Sequence, residues 1–376
     1  MSFVSEQLPT TNYQLPIIMN YSPSKRDRIL LKFNDSFKKS RTDLSAVLLF
    51  PKHHLWVGSD ETSTIERLTF VEQQNCFAEH HTFHVQDFIE LPKPEDEEID
   101  IEGLAYHDYY LWFIGSHSWK RKKPKPEHTD VENIERLAKI KTEENRYIIG
   151  RIPLVDGTLR QSCPHPENPD VTLTAAKVKL TEGGNMLTEA LATDPHLGDF
   201  VKTNIPGKDN GFDVEGIAIY QQKVFLGLRG PVLRGWAAIL ELELEIDAQE
   251  DTLKLKPIGA EQNLYKKHFV YLNGLGIRDL HVDEKDFLIL AGPTMDLDGP
   301  VRVYRWHNGV NIAENTLSYP EVMLEIPFGI GDDHAEGMIT FNEYTQTPSL
   351  LVIYDAPAAA RLEGEGGVWA DVFSYQ

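Results

Sequence analysis

One alternation of polar and apolar positions recurs along the chain. Each copy opens on Asp-x-Glu-Gly-apolar-Ala, passes through a polar turn into a short apolar strand, and ends in a turn of small residues. The clearest copies begin at Asp100 and Asp213, and weaker copies begin at Asp43, Ile277 and His334. Two apolar runs separated by a polar turn are typical of an antiparallel hairpin. The pattern therefore predicts a chain built from five repeats, each opening on a hairpin.

Further strand patterns follow each hairpin. Residues 236–246 end in strict apolar–polar alternation, which is typical of a half-exposed strand. Four strands per repeat, arranged radially, predict an all-β fold, a β-propeller with five recognised blades and six possible. A β-helix would have shorter coils, and paired sandwiches would not need the same opening in every repeat. The last repeat lacks a fourth strand, and residues 28–33 are predicted to supply it and close the ring.

The repeats also predict the domain organisation. Residues 1–27 are polar and rich in proline, and we interpret them as an N-terminal arm. Residues 28–376 are predicted to form a single propeller domain with insertions at 116–146 and 156–211. The first insertion carries a basic run and then a helical pattern over residues 130–141. The second insertion is alternatively a degenerate sixth repeat.

The charge and the cysteine content indicate which partners and which compartment to expect. The net charge of −21 argues against nucleic acid as a partner, because binding a phosphate backbone needs a basic face. The two cysteines, Cys76 and Cys163, are too few for a disulfide framework or a zinc site, which favours a reducing compartment. The chain shows neither a signal peptide pattern nor an apolar run of the roughly 18–20 residues that a membrane span needs. We therefore predict a cytoplasmic protein without a membrane partner.

The repeat places acidic residues at the mouth of the predicted channel. The first strand of a propeller blade is innermost, so the residues that open each copy lie at the channel rim. Glu102, Glu215 and Glu336 share one repeat position and are predicted to converge there, where like charges need compensation. A divalent cation such as calcium, bound with Asp279 as a further ligand, is one form of compensation. Arg278, which occupies the same position in the fourth repeat, is the other.

The Glu-Gly pair also has a purely structural interpretation. Glycine permits a close backbone approach, and the acid is able to accept backbone N–H bonds from a neighbouring blade. His117 follows the second strand of the second repeat and is a candidate general acid or base at the same rim. An exposed turn histidine without a chemical role is the alternative for His117.

Two further segments contain candidate ligand-binding residues. Residues 227–235 hold three glycines and two arginines, which predicts an anion-binding loop, although the Gly-Lys-Ser/Thr ending of a P-loop is missing. Residues 296–299 are similar to the start of a calcium loop but lack its later spacing. No nucleotide-binding fingerprint is present, so no nucleotide cofactor is predicted. The predicted substrate-binding residues are Arg229, Arg234, Arg278, Asp296 and Asp298.

Several of these strings together resemble a bacterial family of unknown function, the domain-of-unknown-function family 3616. They are residues 115–118, 194–197, 213–218, 227–236 and 291–300, and the resemblance runs from about residue 43 to the end. More distantly, the repeated Asp-x-Glu-Gly-apolar-Ala motif is similar to propellers grouped as esterase-like phytases. That similarity implies a hydrolase with acidic residues and calcium at the channel mouth. Ser45 and Arg278 depart from a full acidic ring.

Two functions from different classes are consistent with these observations. The first is a metal-assisted hydrolase of a phosphate ester or related ester at the rim, with a small anionic substrate. Its predicted catalytic residues are Glu102, Glu215, Glu336 and His117, and its predicted metal ligands are Glu102, Glu215, Glu336 and Asp279. The alternative is a non-enzymatic binding or scaffold module whose rim receives a protein or a small anionic ligand, with the inserted helix facing the partner.

Overall fold

The computed structural model describes residues 26–34, 37, 39–50, 53–93, 97–247 and 252–375. The predicted N-terminal arm lies outside these residues, except for its last two, which begin the first strand. Within the described ranges, no helix combines the length and the apolar composition that crossing a bilayer requires. Single-turn 3₁₀ helices occur in the connections at Ser40–Thr42, Glu72–Gln74, Val85–Asp87, Glu144–Tyr147, Gly207–Asp209, Ala260–Gln262, Gly309–Asn311, Asn342–Tyr344 and Ala359–Arg361.

The first repeat folds as an antiparallel sheet of four strands. Strand β3 is fully buried at Leu55, Trp56 and Val57, because its apolar run is covered on both faces. The strands up to this point in the chain are β1 (Arg26–Lys32), which precedes the repeat, and then β2 (Leu44–Phe50), β3 (His54–Ser59), β4 (Thr64–Val71) and β5 (Cys76–His84).

The second repeat is interrupted by residues 119–141. We call this segment the arm, and it is distinct from the predicted N-terminal arm. The strands and helix in this region are β6 (Ile101–His107), β7 (Tyr110–Gly115), β8 (Lys120–Arg121), α1 (Asp130–Leu137), β9 (Ile140–Lys141) and β10 (Ile149–Val155). Helix α1 begins at a capping box in which the Thr129 hydroxyl accepts from the Glu132 N–H and the Glu132 carboxylate accepts from the Thr129 N–H. The helix ends at Leu137 rather than at the predicted residue 141, because residues 140–141 pair with β8 instead.

Residues 156–211 are attached to the outer edge of the second sheet. The elements are β11 (Thr158–Leu159), β12 (Ser162–His165), β13 (Asn168–Thr174), β14 (Ala176–Lys177), β15 (Leu180–Thr181), β16 (Gly184–Asn185), α2 (Met186–Leu191) and α3 (Gly198–Lys202). Strands β11 and β14 both pair with β10, and together they take the place of a fourth strand. Strands β11 and β14 thus extend the second sheet outward, whereas Pro206, Lys208 and Asp209 lie at the channel mouth.

The third and fourth repeats have the same arrangement as the first. The third repeat contains β17 (Asp213–Tyr220), β18 (Lys223–Gly230), β19 (Trp236–Asp247), β20 (Thr252–Leu255) and β21 (Lys266–Tyr271). The fourth contains β22 (Gly276–Asp283), β23 (Asp286–Gly292), β24 (Val301–Trp306), β25 (Leu317–Ser318) and β26 (Glu321–Ile326). In each repeat four strands pair in antiparallel order, while β20 and β25 lie at the outer edge of the third sheet.

The fifth repeat is completed by the start of the chain. Its own strands are β27 (His334–Thr340), β28 (Ser349–Asp355), β29 (Leu362–Glu363) and β30 (Gly367–Ser374). Strand β1 pairs with β30 in antiparallel register, from Arg26 opposite Phe373 to Lys32 opposite Gly367. The prediction that residues 28–33 supply the fourth strand and close the ring is confirmed.

The first strands of the five repeats line a closed ring. They are packed in the order β2, β6, β17, β22 and β27, and β27 returns to β2. Large apolar clusters fill the spaces between neighbouring sheets, for example Ile65 and Leu111 between the first two. The predicted β-propeller class is confirmed. Because the inner strands all begin at the same end of the channel, the openings of the five repeats meet there.

Candidate functional site

All five inner strands carry a β-bulge at the same repeat position. In the second repeat, Ile101 lies opposite Gly115 and Gly103 lies opposite Ile114, so Glu102 has no partner on β7. A bulge leaves one residue unpaired and redirects its side chain. We call the five bulge residues the axial ring, and they are Ser45, Glu102, Glu215, Arg278 and Glu336. The repeated motif therefore forms a β-bulge that directs one side chain per repeat out of the sheet.

The glycine that follows each bulge glutamate lets the next inner strand approach. A Cβ on Gly103 would lie 2.9 Å from the Ile217 side chain, and a Cβ on Gly216 would lie 3.0 Å from the Leu280 backbone N. Both distances are too short for a real Cβ, so a larger residue would push neighbouring strands apart. The structural interpretation of the glycine is thus supported, and it holds alongside any role of the glutamate.

Two of the three axial glutamates are compensated by arginine. Glu336 Oε1 accepts from Arg278 Nη1 at 2.6 Å, and the same guanidinium lies 3.6 Å from Glu215 Oε2. Glu215 Oε1 accepts from Arg229 Nη1 at 2.6 Å. Arg229 and Arg278 are both buried, and each also donates to a carbonyl of the loop after β23. Arg229 and Arg278, which we predicted as anion ligands, therefore neutralise glutamates.

Glu102 remains without such compensation. Among the described residues its carboxyl group has neither a hydrogen bond nor an ion pair. Burial, and after it the neighbouring charges of Asp100 and Glu215, raise the pKa of Glu102 well above its usual range. Glu102 is only half-buried, so its carboxyl group still faces an open space. The surroundings of Glu102 therefore favour its protonated form.

Asp60, in the turn after β3, belongs to the same uncompensated group. Burial raises the pKa of Asp60 well above its usual range, and the nearby charge of Asp100 adds to the effect. Its Oδ1 atom is buried and accepts no hydrogen bond from the described part of the chain. Repulsion from Asp60 contributes only weakly to the raised pKa of Glu102, and desolvation is the main cause of the raised pKa of both groups.

Asp100 is compensated by a residue outside the repeat. Its Oδ2 atom lies 2.5 Å from Arg146 Nη1, and Lys120 lies 3.7 Å from Oδ1. Arg146 is only 1% exposed and also donates to the hydroxyls of Ser116 and Ser118. Sequence analysis missed Arg146, because it lies in the connection before β10 and has no counterpart in the other repeats.

These groups line a cavity of about 560 Å³ at the channel mouth, which we call the rim pocket. Its lining combines carboxylates of the axial ring and of the neighbouring turns with cations of the arm. Lys208, also missed by sequence analysis, lines the pocket and forms no ion pair with the described residues. Burial acts to lower the pKa of Lys208, but nearby carboxylates, Glu336 foremost, outweigh it and raise the pKa. The lining cations are Lys120, Arg121, Lys122, Lys123, Arg146, Lys208 and Arg229.

His117 does not lie with the glutamates. It lines a separate cavity of about 200 Å³ beside Tyr147 and Phe212, and its side chain is buried. Its Nδ1 atom lies 2.7 Å from the Gly115 carbonyl, and its Nε2 atom lies 2.8 Å from the Asn185 amide. Burial lowers the pKa of His117 to about 4. The structure thus corrects the predicted rim position: the ring is a neutral, fully hydrogen-bonded side chain that joins β7 to α2.

Three of the predicted substrate-binding residues occupy different surroundings. Asp296 lines the rim pocket and lies 3.4 Å from Lys123 of the arm. Asp298 lies outside the pocket lining and accepts from the Gly331 N–H at 2.9 Å, so it joins two loops. Arg234 is exposed in the tight turn between Leu233 and Trp236, away from the pocket. The predicted anion-binding loop is therefore a strand end followed by this turn.

The four residues predicted as calcium ligands do not form a cage of free oxygens. Asp279 accepts from the N–H groups of Leu280 and Met338, and burial raises its pKa to about 7. It joins the fourth repeat to the fifth through the Met338 N–H. Glu215 and Glu336 are engaged by arginines. Among the described residues, no group of three or more His, Cys, Asp or Glu side chains has an arrangement suited to a metal ion.

This arrangement leads to a prediction about metal removal. We expect the melting temperature of the purified protein to stay the same when calcium or a chelator is added, because guanidinium groups already compensate Glu215 and Glu336. The measurement is thermal melting with and without each addition, beside metal analysis by mass spectrometry. A melting temperature that falls on chelation, together with stoichiometric metal, would contradict this expectation.

Comparisons with known proteins agree with the resemblance found in the motifs. The model of the family described as Protein of unknown function (DUF3616) matches residues 43–371. A comparison with curated proteins finds no match. Virginiamycin B lyase from Staphylococcus aureus is 9% identical, with 93% of this chain and 100% of that chain covered and a TM-score of 0.36.

Two further solved structures overlap as broadly. Luciferin-regenerating enzyme is 7% identical, with 93% of this chain and 96% of that chain covered and a TM-score of 0.34. The WD40 β-propeller domain of Doa1 is 8% identical, with 94% and 97% covered and a TM-score of 0.32. These scores are too low for an activity to be transferred from any of the three proteins.

Proposed function

The chain belongs to the DUF3616 family, and we propose that it is a hydrolase acting on a phosphate ester or related ester in the rim pocket. The observation that carries the proposal is Glu102, a glutamic acid with a raised pKa, beside Glu215, which pairs with Arg229, in a cavity lined by cations. Environments that keep one carboxyl group protonated and its neighbour charged are the usual basis of acid–base catalysis by two acids.

The proposed roles follow from the surroundings of each group. Glu215 Oε1 accepts from Arg229 Nη1, and its Oε2 atom has no hydrogen bond from the described residues. That oxygen is the acceptor for the proton of an attacking water molecule. Glu102 donates its proton to the leaving oxygen as the ester bond breaks. Lys208 and the cations of the arm bind the anionic part of the substrate.

The test is turnover of a panel of phosphate and carboxylate esters by the wild type and by Glu215→Gln. We expect the variant to lose at least about a hundredfold in kcat, because an amide cannot accept the proton of the attacking water. Glu325→Gln, at a half-exposed side chain of outer strand β26, is the matched control and should keep wild-type activity. Unchanged turnover in a folded Glu215→Gln protein would contradict the hydrolase proposal.

A binding or scaffold module is the second candidate. The observation that favours it is the apolar face of α1, whose Val131 and Ile134 are each 67% exposed. The Glu215→Gln variant also distinguishes the hydrolase from the binding module. The binding module is supported if the wild type turns over no ester of the panel, and if the wild type and Glu215→Gln bind an anionic ligand equally well.

A further inference from the structure

Exposed apolar side chains are concentrated around the mouth of the channel. Eight of the twelve large apolar residues that the described chain exposes lie in three segments that join strands at this end. The eight are Val131, Ile134, Leu137, Ile140, Met295, Leu297, Phe328 and Ile330. Contiguous exposed apolar surface of this kind marks an interaction site rather than an ordinary protein surface.

The three segments are joined to one another. The arm contacts the loop of residues 293–299 through Lys123 and Asp296, whose charged atoms are 3.4 Å apart. That loop contacts residues 327–333 through the hydrogen bond from Gly331 N–H to Asp298. We call these three segments together the docking rim. The three segments that carry the exposed apolar side chains are thus in contact with one another at the channel mouth.

The arm is folded without burying its apolar face. None of the residues of α1 is buried, and Val131, Ile134 and Leu137 follow the spacing of one helix face. The helix is held by its capping box and by hydrogen bonds from Asn133 and Arg136 to the basic run. Its apolar face is therefore available to a partner without any rearrangement of the propeller.

The shape and charge of the docking rim indicate the kind of partner. Its apolar side chains come from helix α1 and from separate loops, and Ile330, between two glycines, is 92% exposed. The docking rim as a whole has eight Lys and Arg and eight Asp and Glu, but its cations are concentrated in the arm, which carries all eight of them and only four of the acids. Projecting apolar residues beside a basic run are typical of proteins that lie on a lipid surface.

We propose that the docking rim binds the surface of a lipid bilayer, with apolar side chains entering the interface and the basic run attracting anionic headgroups. The expectation of no membrane partner rested on the missing membrane span, and a surface-bound protein needs no span. Leu137 of α1 also lines the rim pocket, so the pocket would open beside the bilayer. The proposal rests on the docking rim alone and is independent of the hydrolase.

The experiment is co-sedimentation of the full chain with large vesicles of phosphatidylcholine alone or mixed with phosphatidylglycerol. We expect wild type to pellet with the mixed vesicles, and to bind several-fold less with phosphatidylcholine alone or at high salt. Ile330→Glu and Ile134→Glu should each weaken binding roughly tenfold or more, because each removes an apolar side chain from the interface and adds a negative charge. Lys122→Glu should weaken binding to the mixed vesicles only.

Ile246→Glu is the matched control. Ile246 is 51% exposed near the end of β19, and the rim is at the start of that strand. Thermal melting checks that each variant is folded, which is expected for exposed positions. Binding that is lost in the rim variants and kept in Ile246→Glu supports the proposal. A wild type that stays in the supernatant with both kinds of vesicle at low salt, or equal binding by all variants, overturns it.

Discussion

Glu102→Gln is expected to lower kcat for an ester substrate by a factor on the order of 10²–10⁴, the usual contribution of a general acid. The amide has almost the shape of the carboxylic acid but has no proton to give to a leaving oxygen. Glu102 has no hydrogen bond or ion pair with the described residues, so the substitution removes little else. The measurement is kcat and KM for both proteins on the best substrate of the ester panel.

The pH dependence of this variant tests the assigned proton. Wild-type kcat/KM should fall as the pH rises through the raised pKa of Glu102, because the acid must be protonated to act. This fall should be missing in Glu102→Gln. A variant that keeps the same high-pH fall, or that retains full activity, would show that another group donates the proton.

Stability gives an independent check on the same residue. A carboxyl group whose folded pKa is raised favours the folded state at low pH and loses that contribution as the pH rises through the folded pKa. Glu102→Gln carries no such group, so its melting temperature should exceed that of wild type increasingly as the pH rises. Loss of activity without loss of stability would then separate chemistry from unfolding.

Arg146→Met is expected to lower the free energy of unfolding by about 3–5 kcal/mol, the usual cost of breaking a buried ion pair from one side. The guanidinium lies 2.5 Å from Asp100, and the two side chains are 1% and 5% exposed. Methionine has a similar length but removes the guanidinium that donates to the Asp100 carboxylate and to the Ser118 hydroxyl. The measurement is the midpoint and slope of urea unfolding.

Two further variants control this experiment. Adding Asp100→Asn to Arg146→Met should recover part of the lost stability, because the uncompensated charge is then removed. Arg305→Met breaks ion pairs with Asp283 and Asp286 at the surface, where the side chains are 22–28% exposed, and should cost less than about 1 kcal/mol. Equal losses in Arg146→Met and Arg305→Met would contradict the importance assigned to burial.

Much of the fold was predictable because it repeats. The period of apolar and polar positions identifies the hairpins, and the missing strand of the last repeat predicted its replacement by residues near the start of the chain. The convergence of Glu102, Glu215 and Glu336 followed from their common repeat position, which the structure shows to be a bulge. The length of α1 was overestimated, because residues 140–141 pair with β8 across the arm.

The site was predictable only in part, because compensation of charge depends on distances between distant parts of the chain. Arg146 and Lys208 come from connections without repeat counterparts, yet they lie beside the axial carboxylates. His117 follows the same strand end as other rim turns but faces into a second cavity. A periodic sequence pattern does not predict such differences between individual repeats.

The sequence alone determined the architecture and the shared position of the axial residues, since the alternation of buried and exposed side chains is a local property of strands. Only the tertiary structure decided which of the three glutamates is left without an arginine partner. Arginines from the same and neighbouring repeats compensate Glu215 and Glu336, whereas no described cation pairs with Glu102. The reason is that a carboxyl pKa depends on desolvation and on charges within a few ångströms, and both are set by packing across repeats.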